Sequence, residues 1–356
     1  MIDTAFTRRT VLGAGLGVLV MSQARAAQRL APVDRLAVTF LVDGAVSSFA
    51  EPIERPEIIV ERSSRARPDV RQRFLAEWGL SLLTESAVMA ERRTVLLDFG
   101  YSSEALLNNA NLLGVDFGRV DAMVLSHGHY DHFGGLDGLL ATGRIPRRTP
   151  LLVGGEEALC HRLRGGPDSK LDFGQVDREA IAKAGVDLRL APSPERVGHG
   201  LTTGRIPLTI EHPRTPTTME PGRNCDRARL DPDKRGLDRI QDDSRHELGL
   251  AYHVRGRGLV VMGSCSHRGI LNTVAAARAA SGVERIHAIV GGFHLVAPQT
   301  RADAIRTARA MAAINPDFVV PGHCSGEWFL EAAMAVMPGK VIRPYVGNRF
   351  IFGART

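Results

Sequence analysis

Three imidazoles and a carboxylate fall within six residues of one another, directly behind an apolar run: Asp121–Leu125 leads into Ser126-His127-Gly128-His129-Tyr130-Asp131-His132. This segment restricts the fold more than any other. The apolar run reads as a short buried strand, and the histidines begin where it ends. A strand that breaks into a tight loop points His127 and His129 one way and turns Asp131 and His132 toward a second position. Imidazole and carboxylate are suitable donors for Zn²⁺ and related divalent ions. A lone histidine reads as a satisfied core or surface group, but HxHxDH behind a buried strand reads as a metal site.

Three later segments repeat the arrangement. Gly263-Ser264-Cys265-Ser266-His267, Gly291-Gly292-Phe293-His294 and Pro321-Gly322-His323-Cys324 each place a histidine in a small-residue turn after an apolar strand. In layered α/β proteins such strand ends build sites. The surrounding pattern fits that class. Strands are expected at Leu36–Val42, Gly79–Thr84, Thr94–Phe99, Leu151–Val153, Val186–Leu190, Leu208–Ile210, Leu248–Val254, Gly258–Met262, Ile286–Val290, Phe318–Val320, Val341–Ile342 and Phe350–Phe352. Helices are expected at Ser103–Leu113, Gly134–Ala141, Arg178–Ala184, Ile270–Ala280, Arg301–Ala313 and Glu327–Val336. Residues 46–72 read as a surface insertion and residues 213–245 as a long polar loop that covers a site. A strand-rich start followed by strand–helix alternation indicates sheets with helices packed outside.

HxHxDH and the Asp98-Phe99-Gly100 strand end resemble the metallo-β-lactamase superfamily. Gly79-Leu80-Ser81, HGHYDH, Thr203-Gly204-Arg205-Ile206-Pro207, CSHRGI, GGFHL and GHCSG, in this order, narrow the resemblance. They are similar to the branch named for 7,8-dihydropterin-6-yl-methyl-4-(β-D-ribofuranosyl)aminobenzene 5′-phosphate synthase. The resemblance implies an αββα four-layer sandwich over residues 34–354, with later strands bringing ligands to the HxHxDH loop. It implies a metal set of His127, His129, Asp131, His132, Cys265, His267 and His323 around one or two zinc ions, other divalent metals remaining open. Where many members carry a metal-bridging Asp, this chain has Cys265. That thiol reads either as a zinc-favouring ligand or as a small buried hydrophobe. His294 lies outside the ligand pattern and is assigned to substrate contact or proton transfer, with Asp131 binding metal or orienting the nucleophile. His161, His199, His212, His246, His253 and His287 sit in no such motif and read as surface or structural groups.

The expected activity is hydrolysis of an ester, lactone or phosphoester by a metal-bound hydroxide. The alternatives are a transferase of the synthase type and a metal-holding protein without turnover. Residues 1–26 read as a twin-arginine export signal: Arg8-Arg9, a mildly apolar run diluted by Gly13, Gly15 and Gly17, then Ala24-Arg25-Ala26. The expected location is periplasmic or secreted. The expected partners are the twin-arginine export machinery and a small-molecule substrate, with no stable membrane insertion after cleavage. Net charge is +6 and only four of the 45 Lys+Arg residues are lysines, but the arginines are scattered among acids. No basic stripe marks a nucleic-acid groove, and no nucleic-acid partner is expected. The four cysteines are too sparse for a disulfide-built scaffold.

Overall fold

The computed structural model describes residues 29–62, 69, 71–166, 168–212, 215 and 217–354. The export-signal reading of residues 1–26 lies outside them. Two large sheets face each other. The first has nine strands, in the spatial order Ile53–Arg55, Ile58–Arg62, Asn348–Gly353, Arg35–Val42, Ser81–Val88, Glu91–Leu97, Ala122–Leu125, Pro150–Val153 and Asp187–Leu190. Pairing is antiparallel from Ile53–Arg55 through Glu91–Leu97 and parallel from there on. The second has six strands, in the order Arg196–Val197, Gly200–Thr202, Leu250–Val254, Gly258–Gly263, Ile286–Gly291 and Phe318–Pro321, the last three parallel.

Strand periodicity sorts the core into layers. Leu36, Val38, Phe40, Val95, Leu97 and Val124 alternate onto the inner face of the first sheet; Tyr252, Val260, Met262, Val290 and Val320 do so on the second, and they form one cluster. The intervening residues face outward under helices. Leu96, Met123, Leu125, Leu151 and Val153 pack with Leu106, Leu136, Leu139 and Ile181 of helices Ser103–Leu112, Leu136–Ala141 and Arg178–Ala184. Leu259, Val261, Ile289 and Val319 pack with Val274, Ala308 and Phe329 of helices Ile270–Ser281, Arg301–Ile314 and Glu327–Val336. The result is the αββα sandwich. The Tyr252 hydroxyl inside it is paired, lying 2.8 Å from Thr84 Oγ1. The long helix Arg301–Ile314 starts at a Thr300/Asp303 capping box and stops at Asn315 in left-handed backbone.

Several local expectations need correction. Leu208–Ile210 is not a strand. The Asn272 side-chain oxygen accepts the Thr209 and Ile210 N–H groups at 3.2 and 2.7 Å, so a side chain satisfies the backbone there in place of a sheet neighbour. The strand expected at Gly79–Thr84 runs from Ser81 to Val88. Within residues 46–72, Ile53–Arg55 and Ile58–Arg62 extend the edge of the first sheet. Within 213–245, Thr217–Glu220 and Ile240–Gln241 form a third sheet with His161–Arg164. A disulfide between Cys160 and Cys225 fastens that strap, a pairing the spacing of the cysteines does not reveal.

Candidate metal centre

The site forms where the parallel strands of both sheets end. Register sets Gly263 beside Gly291 and Gly291 beside Pro321, so the turns carrying Cys265 and His267, His294, and His323 and Cys324 emerge side by side. In the first sheet Leu97 pairs with Val124, which sets Asp98 beside Leu125, within reach of Ser126 at the start of the HxHxDH loop. Asp98, Ser266, His294 and His323 all take positive φ, between 43° and 59°. Such backbone costs non-glycine residues on the order of 1 kcal/mol or more each, and its concentration at these strand ends marks the centre as over-determined by its surroundings.

The HxHxDH segment divides as its geometry requires. His127 follows the strand, His129 stands in extended backbone, and Tyr130–Phe133 then makes a single helical turn that carries Asp131 and His132 around. His127, His129 and His267 form one group whose donor atoms all lie within 4.8 Å of one another; Asp131, His132, Cys265 and His323 form a second. His132 Nε2 is 3.1 Å from Cys265 Sγ, and Asp131 Oδ2 is 3.4 Å from His323 Nε2. The His294 ring centroid is 4.4 Å from that of His267. Gly128 makes the tight path feasible. A Cβ there would lie 2.2 Å from the Ala158 carbonyl oxygen and 2.3 Å from Arg162 Nη1.

These groups lack hydrogen-bond partners to an unusual degree. His127 Nε2, Asp131 Oδ1 and both ring nitrogens of His267 and of His323 are buried with none. Buried polar atoms are almost always satisfied, so this convergence fits a cation. Protonation fits as well. Burial pushes the imidazoles of His127 and His267 well below the usual histidine range, and it takes His129 down to about 3. Burial alone would raise Asp131, but His132 and His323 hold it below the usual carboxylate range. Lone pairs at His127, His129 and His267 and a negative charge at Asp131 are therefore ready for a cation; burial raises the Cys265 thiol, and Cys324 and Asp131, against burial, raise His323 to about 9, so those two release protons on binding.

Several residues position these donors, and of them only Asp98, in its Asp98-Phe99-Gly100 strand end, carries a sequence signal. Asp98 accepts from the Ser126 N–H and hydroxyl, each at 2.7 Å, from the Ser264 hydroxyl, and from His132 Nδ1 at 2.7 Å. Glu247, buried, accepts the His267 and Arg268 N–H groups at 2.8 and 2.6 Å, which fixes the turn holding Cys265 and His267; burial pushes its carboxyl up to about 7. The strap supplies a wall. Thr217 Oγ1 lies 2.8 Å from His129 Nε2, and Asp242 Oδ2 lies 3.8 Å from the same atom. His246 accepts the Gly128 N–H at 3.2 Å. Arg162, fully buried, donates from Nε to Asp242 at 2.7 Å and to the Cys160 and Glu157 carbonyls, each at 2.9 Å.

Arg162→Ala strands Asp242 as an unpaired buried charge beside His129. The expected loss is about 3–5 kcal/mol of stability, read by denaturant unfolding. Adding Asp242→Ala should recover part of it, and additive losses would show that the pair is uncoupled.

A cavity of about 460 Å³ opens onto His129, Asp131, Cys265, His267, His294, His323 and Cys324, with Trp78, Tyr101, Phe173 and Arg164 around it. The seven residues read from the sequence as a metal set thus fall in two donor groups, five of them bordering the cavity together with His294.

Comparison with known proteins agrees with this architecture. The family model for the metallo-beta-lactamase superfamily matches residues 85–323. A Methanocaldococcus jannaschii protein, 7,8-dihydropterin-6-methyl-4-(beta-D-ribofuranosyl)-aminobenzene-5′-phosphate synthase, is 28% identical over 287 residues, spanning 76% of this chain and 91% of the relative. An uncharacterized protein of the same organism is 27% identical over 257 residues, 72% of this chain and 86% of its own. The crystal structure of Tm1679, a metal-dependent hydrolase of the beta-lactamase superfamily, superposes with a TM-score of 0.65 at 24% identity, covering 88% of this chain and 98% of that one.

Proposed function

The chain belongs to the metallo-β-lactamase superfamily, and from that premise we propose that it is an exported metal-dependent hydrolase acting on an ester, lactone or phosphoester. The observation that carries the proposal is the set of partnerless buried donors beneath the cavity. His127, His129 and His267 would hold one zinc ion, and Asp131, His132, Cys265 and His323 a second. When bound, a divalent ion supplies a water of pKa about 7 and polarises the oxygen under attack. The protein's part is orientation and proton movement. Asp98 keeps the His132 proton on Nδ1, which leaves Nε2 free to ligate. Asp131 orients the attacking water. His294, whose buried Nδ1 has no partner, contacts substrate and passes a proton to the leaving oxygen.

The test is turnover by zinc-loaded and chelated protein on a panel of esters, lactones and phosphodiesters. Hydrolysis that chelation does not touch would refute it. A second reading, a transferase acting on a pterin, is supported by the relative matched over 91% of its length. Turnover of a dihydropterin substrate, with none on the hydrolytic panel, would decide for it.

Export is part of the proposal. Arg8-Arg9 and the Ala24-Arg25-Ala26 site support a twin-arginine route, and the Cys160–Cys225 bridge suits an oxidising compartment. Among the described residues, no helix is long and apolar enough to cross a membrane. Replacing Arg8 and Arg9 by Lys should leave unprocessed precursor in the cytoplasm on a fractionation blot. Unchanged export of that variant would point to the general secretory route.

A further inference from the structure

Two thiols lie side by side under the cavity, and the proposed reaction uses only one of them. Cys265 follows strand Gly258–Gly263 and Cys324 follows Phe318–Pro321, with Ile286–Gly291 between them. Their sulfurs are 3.4 Å apart, and both side chains are buried yet border the cavity. Gly292, at the end of the intervening strand, leaves the room: a Cβ there would lie 2.9 Å from Cys324 Sγ. The remaining two cysteines already form a disulfide. A bond between Cys265 and Cys324 needs their sulfurs to close to about 2.05 Å, a movement of side chains already in contact.

We propose that Cys265 and Cys324 are a reversible dithiol–disulfide pair, protected by metal at the Asp131, His132, Cys265 and His323 position and open to oxidation when that position is empty. The protection rests on the metal reading above; the pairing rests on the sulfur geometry alone. The oxidant is a low-molecular-weight disulfide reaching the pair through the cavity. One cysteine thiolate attacks it, forming a mixed disulfide and expelling one small thiolate. The second cysteine thiolate then attacks the protein sulfur of that mixed disulfide and expels the other. Two cysteine protons and two electrons leave the protein, and the oxidant becomes two thiols. The new bond commits the Cys265 sulfur, 3.1 Å from His132 Nε2, and so blocks reloading of that position. A chain exported without its metal would be locked, whereas one exported loaded would stay active.

The test uses the full mature protein, once stripped by chelation and once zinc-loaded, with zinc content measured on each. Both are treated with oxidised glutathione, alkylated and mapped by mass spectrometry. In the stripped sample both free thiols should be lost, with the Cys265 and Cys324 peptides cross-linked and no glutathione retained, and dithiothreitol should restore both. The zinc-loaded sample should keep both thiols. Cys324→Ser should carry glutathione on Cys265 in place of the cross-link. Retained thiols, or single glutathione adducts without the cross-link, in the stripped wild-type protein would overturn the pairing. Equal oxidation of a sample shown to contain zinc would overturn the protection. A loaded sample that contains no zinc would instead remove the metal reading and the protection with it, while the stripped sample still decides the pairing.

Discussion

Purified His129→Ala is expected to lose the zinc of the His127, His129 and His267 position and, with it, turnover. His129 shares its position with His127 and His267, so its loss leaves two imidazoles where three converge. It also uncovers Asp242, which lies 3.8 Å from the missing ring nitrogen. Replacing residues that merely orient ligands typically costs about 10–100-fold in metal affinity, and a direct ligand should cost more. His294→Ala separates binding from chemistry. Its ring stands beside His267 but belongs to neither donor group, so zinc should be retained while turnover falls by about 10²–10⁴, the usual worth of a positioned proton donor. His253→Ala should change neither, because that ring bonds the Leu30 carbonyl at 2.9 Å and takes no part in the centre. Metal content and rate, measured on the same three preparations, decide the matter. Full zinc and activity in His129→Ala would refute the assignment, and zinc loss in His294→Ala would make His294 a ligand.

The centre was legible because its residues announce themselves locally. Each of His127, His267, His294 and His323 follows a run of apolar residues and sits among glycines or serines, and parallel register then delivers those turns to one edge. Sheets with helices packed outside followed from the strand-rich start and the strand–helix alternation, and the αββα layering from the family resemblance. What escaped is what long-range contact decides. Glu247 grips the His267 turn from 20 residues away, and Arg162 meets Asp242 across 80, with no periodicity to flag either. Thr217–Glu220 hides as a strand because its four residues are polar apart from Met219, and its partner Ile240–Gln241 is two residues long. Leu208–Ile210 misled in the opposite sense: two of its three residues are apolar and Thr209 and Ile210 are β-branched, yet its backbone is held by Asn272. Cys160 and Cys225 are each flanked by nothing that predicts the other.

Asp98→Asn should weaken zinc binding by about 10–100-fold in a protein that still folds. Asp98 ties the two sheets at the floor of the centre: its carboxylate accepts from Ser126 and His132 on one side and from Ser264 on the other. All of these are donors: Oδ2 takes the two hydroxyls and the imidazole, and Oδ1 takes the Ser126 N–H. An amide of the same shape keeps one acceptor oxygen and turns an NH₂ group toward the rest. If that NH₂ takes the Oδ2 place, it meets both serine hydroxyls and His132 Nδ1, and the ring proton must move to Nε2, the atom that otherwise points at Cys265 and the second cation position. If it takes the Oδ1 place, the Ser126 N–H loses its acceptor in a fully buried site, at a cost of about 1–3 kcal/mol. Either orientation damages the centre without removing a ligand. Ser264→Ala deletes only one donor to the same carboxylate and leaves the His132 tautomer in place, so its zinc affinity should fall much less. Chelator competition gives the two affinities and thermal unfolding the stability. Wild-type zinc affinity in Asp98→Asn would mean that the His132 tautomer is set by something other than this carboxylate. An equal loss in Ser264→Ala would mean that packing between the strand ends, not proton placement, is what Asp98 supplies.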